Sequence, residues 1–174
     1  MTKRVRQFLG ILAALAAYYL VHEGAHLLYA SAAGVFRQIR FLGLGVQIDV
    51  CRERMTDTQL GLFCLAGALA TLCAGYVLTA LAGRICRARS RLLRAAFYSI
   101  TIAFLLLDPL YLSVLCGLFG GGDRNGIALL CPEWVVGCIF GVLFFANALL
   151  FWCRVLPLYR ASFSGEPAAP RGED

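Results

Sequence analysis

The sequence is short of the charged residues that cover the surface of a soluble protein. Asp, Glu, Lys and Arg make up 15% of its 174 residues, whereas hydrophobic residues make up 60%. Together with a mean hydropathy of +0.76, this composition excludes an ordinary soluble domain and predicts one integral membrane domain. The net charge of +6 is not arranged as a basic patch with interleaved aromatic residues, which argues against nucleic-acid binding. We expect contact with membrane lipids instead.

Histidine is scarce, and the cysteines are not spaced as in common metal sites. None of the eight cysteines forms a CxxC pair, so the ligand spacing of common structural zinc sites is missing. The sequence contains two histidines, His22 and His26. A catalytic zinc site needs three protein ligands, so it must take an oxygen ligand in addition to these two imidazoles.

Four apolar runs are each long enough to cross a bilayer as an α-helix, which needs about 20 residues. We therefore predict an all-α polytopic membrane protein with about four transmembrane helices. Their expected ranges are residues 8–33, 60–83, 95–119 and 134–155. Residues 1–158 are expected to form a single integral membrane domain. Residues 159–174, rich in proline, glycine and acidic residues, are expected to be a disordered tail.

The segment between the first two apolar runs has a different composition. Residues 35–50 are rich in β-branched and aromatic residues, and Gly43 and Gly45 suit a bend between two short strands. This pattern predicts a β-hairpin at the membrane surface, and a plain loop with strand-like composition is the alternative. An exposed edge of such a hairpin would bind an extended substrate by strand addition.

The most informative stretch lies inside the first apolar run, where His22-Glu23-Gly24-Ala25-His26 forms a His-Glu-x-x-His pattern. On a helix the two histidines lie one turn apart on the same face. Both can then bind one Zn²⁺, while Glu23 acts as the catalytic base toward a water molecule. Such polar residues inside a membrane cost several kcal/mol unless they have partners. The pattern therefore predicts a zinc-dependent hydrolase, and a purely structural polar cluster is the alternative.

Two acidic residues compete for the place of the third zinc ligand. Asp108 precedes Pro109 within the third apolar run, and Asp123 lies in a glycine-rich stretch after it. At about 1.5 Å per residue, Asp108 lies roughly 20 Å along its helix, level with the histidines at roughly 21–27 Å along theirs. Depth thus favours Asp108, since Asp123 needs the glycines to fold the chain back. Glu133 is a more distant candidate.

The order of these motifs resembles the site-2 protease family of intramembrane zinc metalloproteases, above all small bacterial members reduced to the catalytic core. The matching stretches are His22–His26, Gly34-Val35 with Arg40-Phe-Leu-Gly-Leu-Gly45, Leu65–Ala70, and Phe119-Gly-Gly-Gly-Asp123-Arg-Asn-Gly-Ile127. The resemblance implies that zinc is bound by His22, His26 and Asp123, which leaves Asp108 to orient a histidine or a water molecule. The family's Asn-Pro ahead of the aspartate is missing here, and Arg124 stands where the family has glycine.

The resemblance also implies a function. We expect an intramembrane metalloendopeptidase in a bacterial inner membrane, with a membrane-spanning protein as its substrate. The hairpin residues expected to bind the unwound substrate are Phe41, Leu42, Gly43, Leu44 and Gly45. Asn147 in the fourth run either holds a substrate's unpaired backbone or forms an interhelical hydrogen bond. Two other functions stay open: a non-catalytic membrane scaffold or pseudoprotease, and a zinc hydrolase of a small amphiphilic substrate.

The orientation in the membrane receives conflicting indications. Eleven lysine and arginine residues lie in the N-terminal flank, the 84–94 loop and the tail, against five on the other side. This asymmetry predicts cytoplasmic termini and a zinc site toward the outer half of the membrane. The resemblance implies the opposite, a site that opens toward the cytosol.

Overall fold

The computed structural model describes residues 2–42, 45–119 and 122–164. Within this part of the chain, four helices are long and apolar enough to cross a membrane. They are α1 (Lys3–Ala32), α2 (Asp57–Ile85), α3 (Arg91–Leu110, continued by Tyr111–Leu115 and Cys116–Phe119) and α5 (Glu133–Leu150, continued by Phe151–Val155 and Leu156–Ser164), with a short helix α4 (Gly122–Ile127) between the last two. The prediction of four long apolar helices is confirmed, and each helix begins earlier than its predicted range.

Polar residues just before the apolar runs explain these early starts. The Thr56 side chain accepts a hydrogen bond from the amide of Gln59, and the Gln59 side chain accepts one from the amide of Thr56. Ser90 caps α3 by accepting from the amide of Leu93. Such caps satisfy the N–H groups that have no partner inside the helix. The helices therefore begin at these polar residues rather than at the first apolar one.

The predicted β-hairpin is confirmed. Strands β1 (Phe36–Leu42) and β2 (Gly45–Val50) pair antiparallel, with Ile39 opposite Ile48. Gly34, with a φ of 66°, joins α1 to the hairpin in a conformation that favours glycine. β2 packs against α1 more extensively than β1 does. The second strand is therefore the one that lies beside the histidine-bearing helix.

A proline inside α3 leaves one backbone carbonyl without its helical partner. Pro109 has no N–H, so the carbonyl of Leu105, four residues earlier, loses its usual hydrogen bond. The Asn147 amide on α5 donates to that carbonyl at 2.9 Å, and its oxygen accepts from the Tyr76 hydroxyl at 2.8 Å. Asn147 is 2% exposed and bonds to two neighbouring helices, while its role in substrate binding stays a prediction. Its alternative, an interhelical hydrogen bond, is confirmed.

Helix α4 returns the chain to the core after α3. Gly126 on α4 lies so close to Cys64 on α2 that no side chain fits between them. Ile127 is 3% exposed and packs in the main hydrophobic core. The chain therefore folds back after α3. Asp123 can lie beside the histidines only if the chain returns in this way.

The last helix continues beyond the predicted end of the membrane domain. Leu156–Ser164 is helical, which corrects the prediction that disorder begins at residue 159. Tyr159 is 1% exposed and its ring centroid lies 5.1 Å from that of Tyr98 on α3. Phe163 contacts the guanidinium of Arg94. This packing of aromatic side chains orders a segment whose composition resembles that of a tail; the rest of the predicted tail lies outside the described residues.

Replacing Asn147 tests its role beside the proline. Asn147→Leu keeps the branched heavy-atom shape of the side chain but leaves the Leu105 carbonyl without a donor. We expect the free energy of unfolding to fall by about 1 kcal/mol, the scale of interhelical hydrogen bonds in membrane proteins. Denaturant titration in detergent micelles measures this change. The matched control is Thr79→Val, because the Thr79 hydroxyl bonds within its own helix, to Gly75 at 2.9 Å; equal losses in both variants would contradict the assignment.

Candidate metal centre

Helix α1 presents His22 and His26 on one buried face. The two residues are 7% and 3% exposed, and their Nε2 atoms lie 3.2 Å apart. One helical turn separates them, so their side chains project in the same direction. The spacing thus brings two nitrogen atoms to one point inside the helix bundle.

The outer nitrogen of each imidazole faces a hydrogen-bond acceptor. His26 Nδ1 donates to the backbone carbonyl of Phe63 on α2 at 2.8 Å. His22 Nδ1 lies 3.3 Å from Asp108 Oδ1 on α3, at ion-pair distance but without the alignment of a good hydrogen bond. Partners of this kind fix the ring orientation and place the proton on Nδ1. In the neutral imidazoles, both Nε2 lone pairs therefore point inward.

Asp123 completes the group from the opposite side. Its Oδ2 lies 3.2 Å from His22 Nε2 and 3.7 Å from His26 Nε2. Burial alone would raise the pKa of the Asp123 carboxyl, but the two imidazoles, when they carry protons on Nε2, hold that pKa well below its ordinary value. The residue is therefore a carboxylate, the state in which it binds metals.

These three groups fit a divalent cation. Two inward lone pairs and a carboxylate repel one another unless positive charge lies between them, either protons or a metal ion. In a tetrahedral zinc site with ligands at about 2.0–2.1 Å, neighbouring ligand atoms lie about 3.3 Å apart. The observed separations of 3.2, 3.2 and 3.7 Å are close to that value. Within the described residues, His22, His26 and Asp123 form the group that could hold a metal ion.

Asp108 lies behind His22 rather than with the three converging ligands. It is 1% exposed and accepts hydrogen bonds from the Tyr18 and Thr71 hydroxyls. Tyr18 also stacks on the His22 ring, with centroids 5.2 Å apart. The arrangement favours the expectation that Asp108 orients a histidine over the alternative that it binds the metal. Glu133, the distant candidate, is exposed at the start of α5.

Glu23 lies beside a cavity that opens at two of the three ligands. The cavity has a volume of about 240 Å³, and its lining includes Glu23, His26, Asp123 and four consecutive residues of β2, Gly45 to Ile48. The Ile48 backbone lies near the Glu23 carboxylate. Glu23 is half-buried and is therefore positioned between the hairpin and the candidate metal ligands.

The predicted substrate-binding residues of the hairpin do not all lie at the cavity. Gly45 lines the cavity, whereas Phe41 on β1 is 78% exposed and is absent from that lining; its role in substrate binding stays a prediction. Leu42 ends β1, but its side chain lies outside the described part of the structure. Gly43 and Leu44 lie outside the described residues altogether. Nothing in the composition of the two strands indicates that β2 rather than β1 packs on α1.

Gly67, within the stretch Leu65–Ala70, lies directly at the candidate metal centre. A Cβ at this position would lie 2.6 Å from His26 Nε2 and 2.7 Å from His22 Nε2, so α2 can approach the two imidazoles only with glycine here. The small-residue stretch Leu65–Ala70 signals close packing in general. Which neighbour requires the glycine is visible only in three dimensions.

Comparisons with models of protein families, with curated proteins and with solved structures found no match. The interpretation of this centre therefore depends on its own geometry.

Gly67→Ala tests the contact between α2 and the imidazoles. The added methyl group pushes one or both Nε2 atoms out of position, at a cost on the scale of overpacking, about 1–3 kcal/mol. We expect Co²⁺ or Zn²⁺ affinity to fall by about tenfold or more, measured by competition with a chromophoric chelator. The matched control on the same helix is Gly83→Ala, because a Cβ at Gly83 meets no atom within 4 Å. Unchanged affinity in Gly67→Ala would exclude this geometry.

Proposed function

We propose that the protein is an intramembrane zinc metalloprotease that hydrolyses peptide bonds of membrane-spanning substrates. The observation that supports the proposal most directly is the convergence of His22 Nε2, His26 Nε2 and Asp123 Oδ2, at separations of 3.2 to 3.7 Å. Both outer imidazole nitrogens face fixed acceptors at the same time. A merely structural polar cluster does not need three ligand atoms directed at one point.

Zinc is the cation that these ligands suit best. Two imidazole nitrogens and one carboxylate are the ligand types of known catalytic zinc sites, which leave one position for water or substrate. His22, His26 and Asp123 would hold the ion, and Asp108 would keep the His22 ring in place. When bound, zinc supplies a lowered pKa for water, toward about 7, and polarises a carbonyl group.

Glu23 is the general base of the proposed reaction. Its carboxylate takes a proton from the attacking water and later returns that proton to the leaving amine. Glu23 lines the same cavity as His26 and Asp123, so a peptide carbonyl in that cavity lies near both the base and these two ligands.

The wall of the cavity favours an extended peptide. In an α-helix each carbonyl accepts a hydrogen bond from the amide four residues later, so a substrate helix must unwind locally before its carbonyl can be attacked. β2 forms one wall of the cavity, and its edge away from β1 offers backbone groups to an unwound strand.

A second cavity indicates how a substrate reaches the site from the bilayer. It has a volume of about 360 Å³, lies between α1 and the hairpin, and is lined by apolar residues including Leu20 and Leu27. Leu20 is 77% exposed, as expected for a side chain facing lipid. The two cavities share Glu23, Val46 and Ile48. This geometry supports lateral entry from a membrane, for which the four long apolar helices are suited, and we place the protein in a bacterial inner membrane.

Glu23→Gln tests the proposed chemistry. The amide cannot accept the water proton, so cleavage of single-span proteins in nanodiscs is expected to fall by about 10²-fold to 10⁴-fold, while stoichiometric zinc is retained. Product fragments are measured by mass spectrometry against wild type. The control is Glu53→Gln, an exposed acid outside both cavities. Zinc-free protein without cleavage would favour a non-catalytic membrane scaffold. Hydrolysis of small amphiphiles without cleavage of proteins would favour a zinc hydrolase of a small substrate.

Comparison of the two aspartates tests the ligand assignment. Asp123→Ala removes a proposed ligand, whereas Asp108→Ala removes the partner of His22, a change that typically costs 10–100-fold in metal affinity. We expect Asp123→Ala to lose zinc at chelator concentrations that Asp108→Ala still withstands. Asp49→Ala serves as the control, since Asp49 pairs with Arg40 on the hairpin at 3.3 Å. Loss of zinc in Asp108→Ala alone would reverse the assignment.

A further inference from the structure

A large cavity lies at the end of the bundle remote from the candidate metal centre. It has a volume of about 730 Å³ and is formed between the end of α2 and the second half of α5. Its lining residues are Thr79, Ala80, Gly83, Arg84, Arg87, Leu150, Cys153, Arg154, Pro157 and Leu158. On α2, Gly83 is sixteen residues beyond Gly67, which corresponds to roughly 24 Å of helix. The cavity is therefore independent of the proposed active site.

Three arginines line this cavity without acidic partners. Arg84 lies in the last turn of α2, Arg87 lies in the turn that follows this helix, and Arg154 lies on α5. Among the described residues, the arginines that form ion pairs with a carboxylate are Arg40 and Arg52. The cavity lining contains no acidic residue either. Three positive charges thus converge without compensation from the described part of the chain, which favours an anionic ligand.

Other arginines at the same end of the bundle are already engaged, which distinguishes the cavity from a general basic surface. Arg94 donates to the Ser162 carbonyl and lies over the Phe163 ring. Arg160 lies over the Trp152 ring. Of the three cavity arginines, Arg87 donates from its Nε to the carbonyl of Gly83, which also lines the cavity, at 3.2 Å.

The local backbone supports a binding role for the α5 side of the cavity. Phe151–Val155 is a π-helical turn, and such turns occur frequently at functional sites because they change the direction of the side chains that follow. Arg154 lies within this turn. Leu150 and Leu158, on either side of it, give the cavity apolar walls. Positive charge at one end of an apolar groove matches a headgroup phosphate joined to an acyl chain.

We propose that this cavity binds an anionic phospholipid. Arg84, Arg87 and Arg154 contact the phosphate, and an acyl chain lies along Leu150 and Leu158. Basic pockets between membrane helices on the cytoplasmic side are known to bind anionic headgroups. The inference depends on the membrane location proposed above but not on the protease activity.

Lipid binding to the full-length protein tests the proposal. Native mass spectrometry from detergent micelles measures the affinity for phosphatidylglycerol and for phosphatidylcholine. In the combined variant Arg84→Gln, Arg87→Gln and Arg154→Gln, we expect phosphatidylglycerol to bind at least about tenfold more weakly, since each basic residue near a headgroup contributes about 1 kcal/mol. Phosphatidylcholine is expected to bind wild type and variant equally weakly.

A matched variant separates the cavity from total charge. Arg89→Gln, Arg91→Gln and Arg160→Gln together remove the same three charges from residues outside the cavity lining, and phosphatidylglycerol affinity is expected to change by no more than about twofold. An equal loss in this control would overturn the proposal in favour of diffuse attraction. Displacement of the lipid by millimolar inorganic phosphate would overturn it in favour of a free-anion site.

Two measurements keep the outcome separate from misfolding and from the protease proposal. Zinc affinity depends on residues roughly 24 Å away along α2 and is expected to be unchanged in a folded cavity variant, so it serves as the folding control. A folded variant that keeps wild-type phosphatidylglycerol affinity contradicts the proposal. Inactive Glu23→Gln protein is expected to bind phosphatidylglycerol as wild type does. Loss of proteolysis and loss of lipid binding are therefore distinguishable.

Discussion

The fixed orientation of the two imidazoles is the constraint on which the rest of the structure depends. Phe63 on α2 and Asp108 on α3 face the outer nitrogens, so the same contacts that aim Nε2 inward also hold α1 against both neighbouring helices. Buried polar groups without partners cost about 1–3 kcal/mol each, and this cost favours the helix arrangement in which the outer imidazole nitrogens face acceptors. The contacts that orient the proposed ligands are thus also contacts that pack the helices together.

The interruption of α3 belongs to the same set of contacts. Asp108 can reach His22 only from a helix packed closely on α1, and the following Pro109 removes one hydrogen bond from that helix. Asn147 repairs the loss by donating to the Leu105 carbonyl. The helix then continues through a π-helical turn that begins at Tyr111, a residue that lines the cavity beside Asp123. Irregular backbone of this kind is tolerated inside a membrane where it borders a cavity or is buried in protein.

Local patterns predicted the elements but not the contacts between them. Hydropathy located the four long helices, and strand-forming residues located the hairpin, because each signal lies within a continuous stretch of sequence. Depth along a straight helix favoured Asp108 as third ligand, yet the chain after α3 folds back and places Asp123 at 3.2 Å from His22. Likewise, the need for glycine at position 67 arises from α1, and the helical order of Tyr159 arises from α3. Such information is absent from any single segment.

The positions of the two cavities bear on the orientation of the molecule. The candidate metal centre and the hairpin lie at one end of α2, near Phe63 and Gly67, whereas Arg84 and Arg87 lie at the other. Under the proposed membrane location, the positive-inside asymmetry predicts that the arginine end faces the cytoplasm, where anionic lipids attract basic residues. The candidate metal centre would then lie in the outer half of the membrane. A site that opens to the cytosol, as the family resemblance implies, would put the most basic end of the bundle on the side that such charge normally avoids.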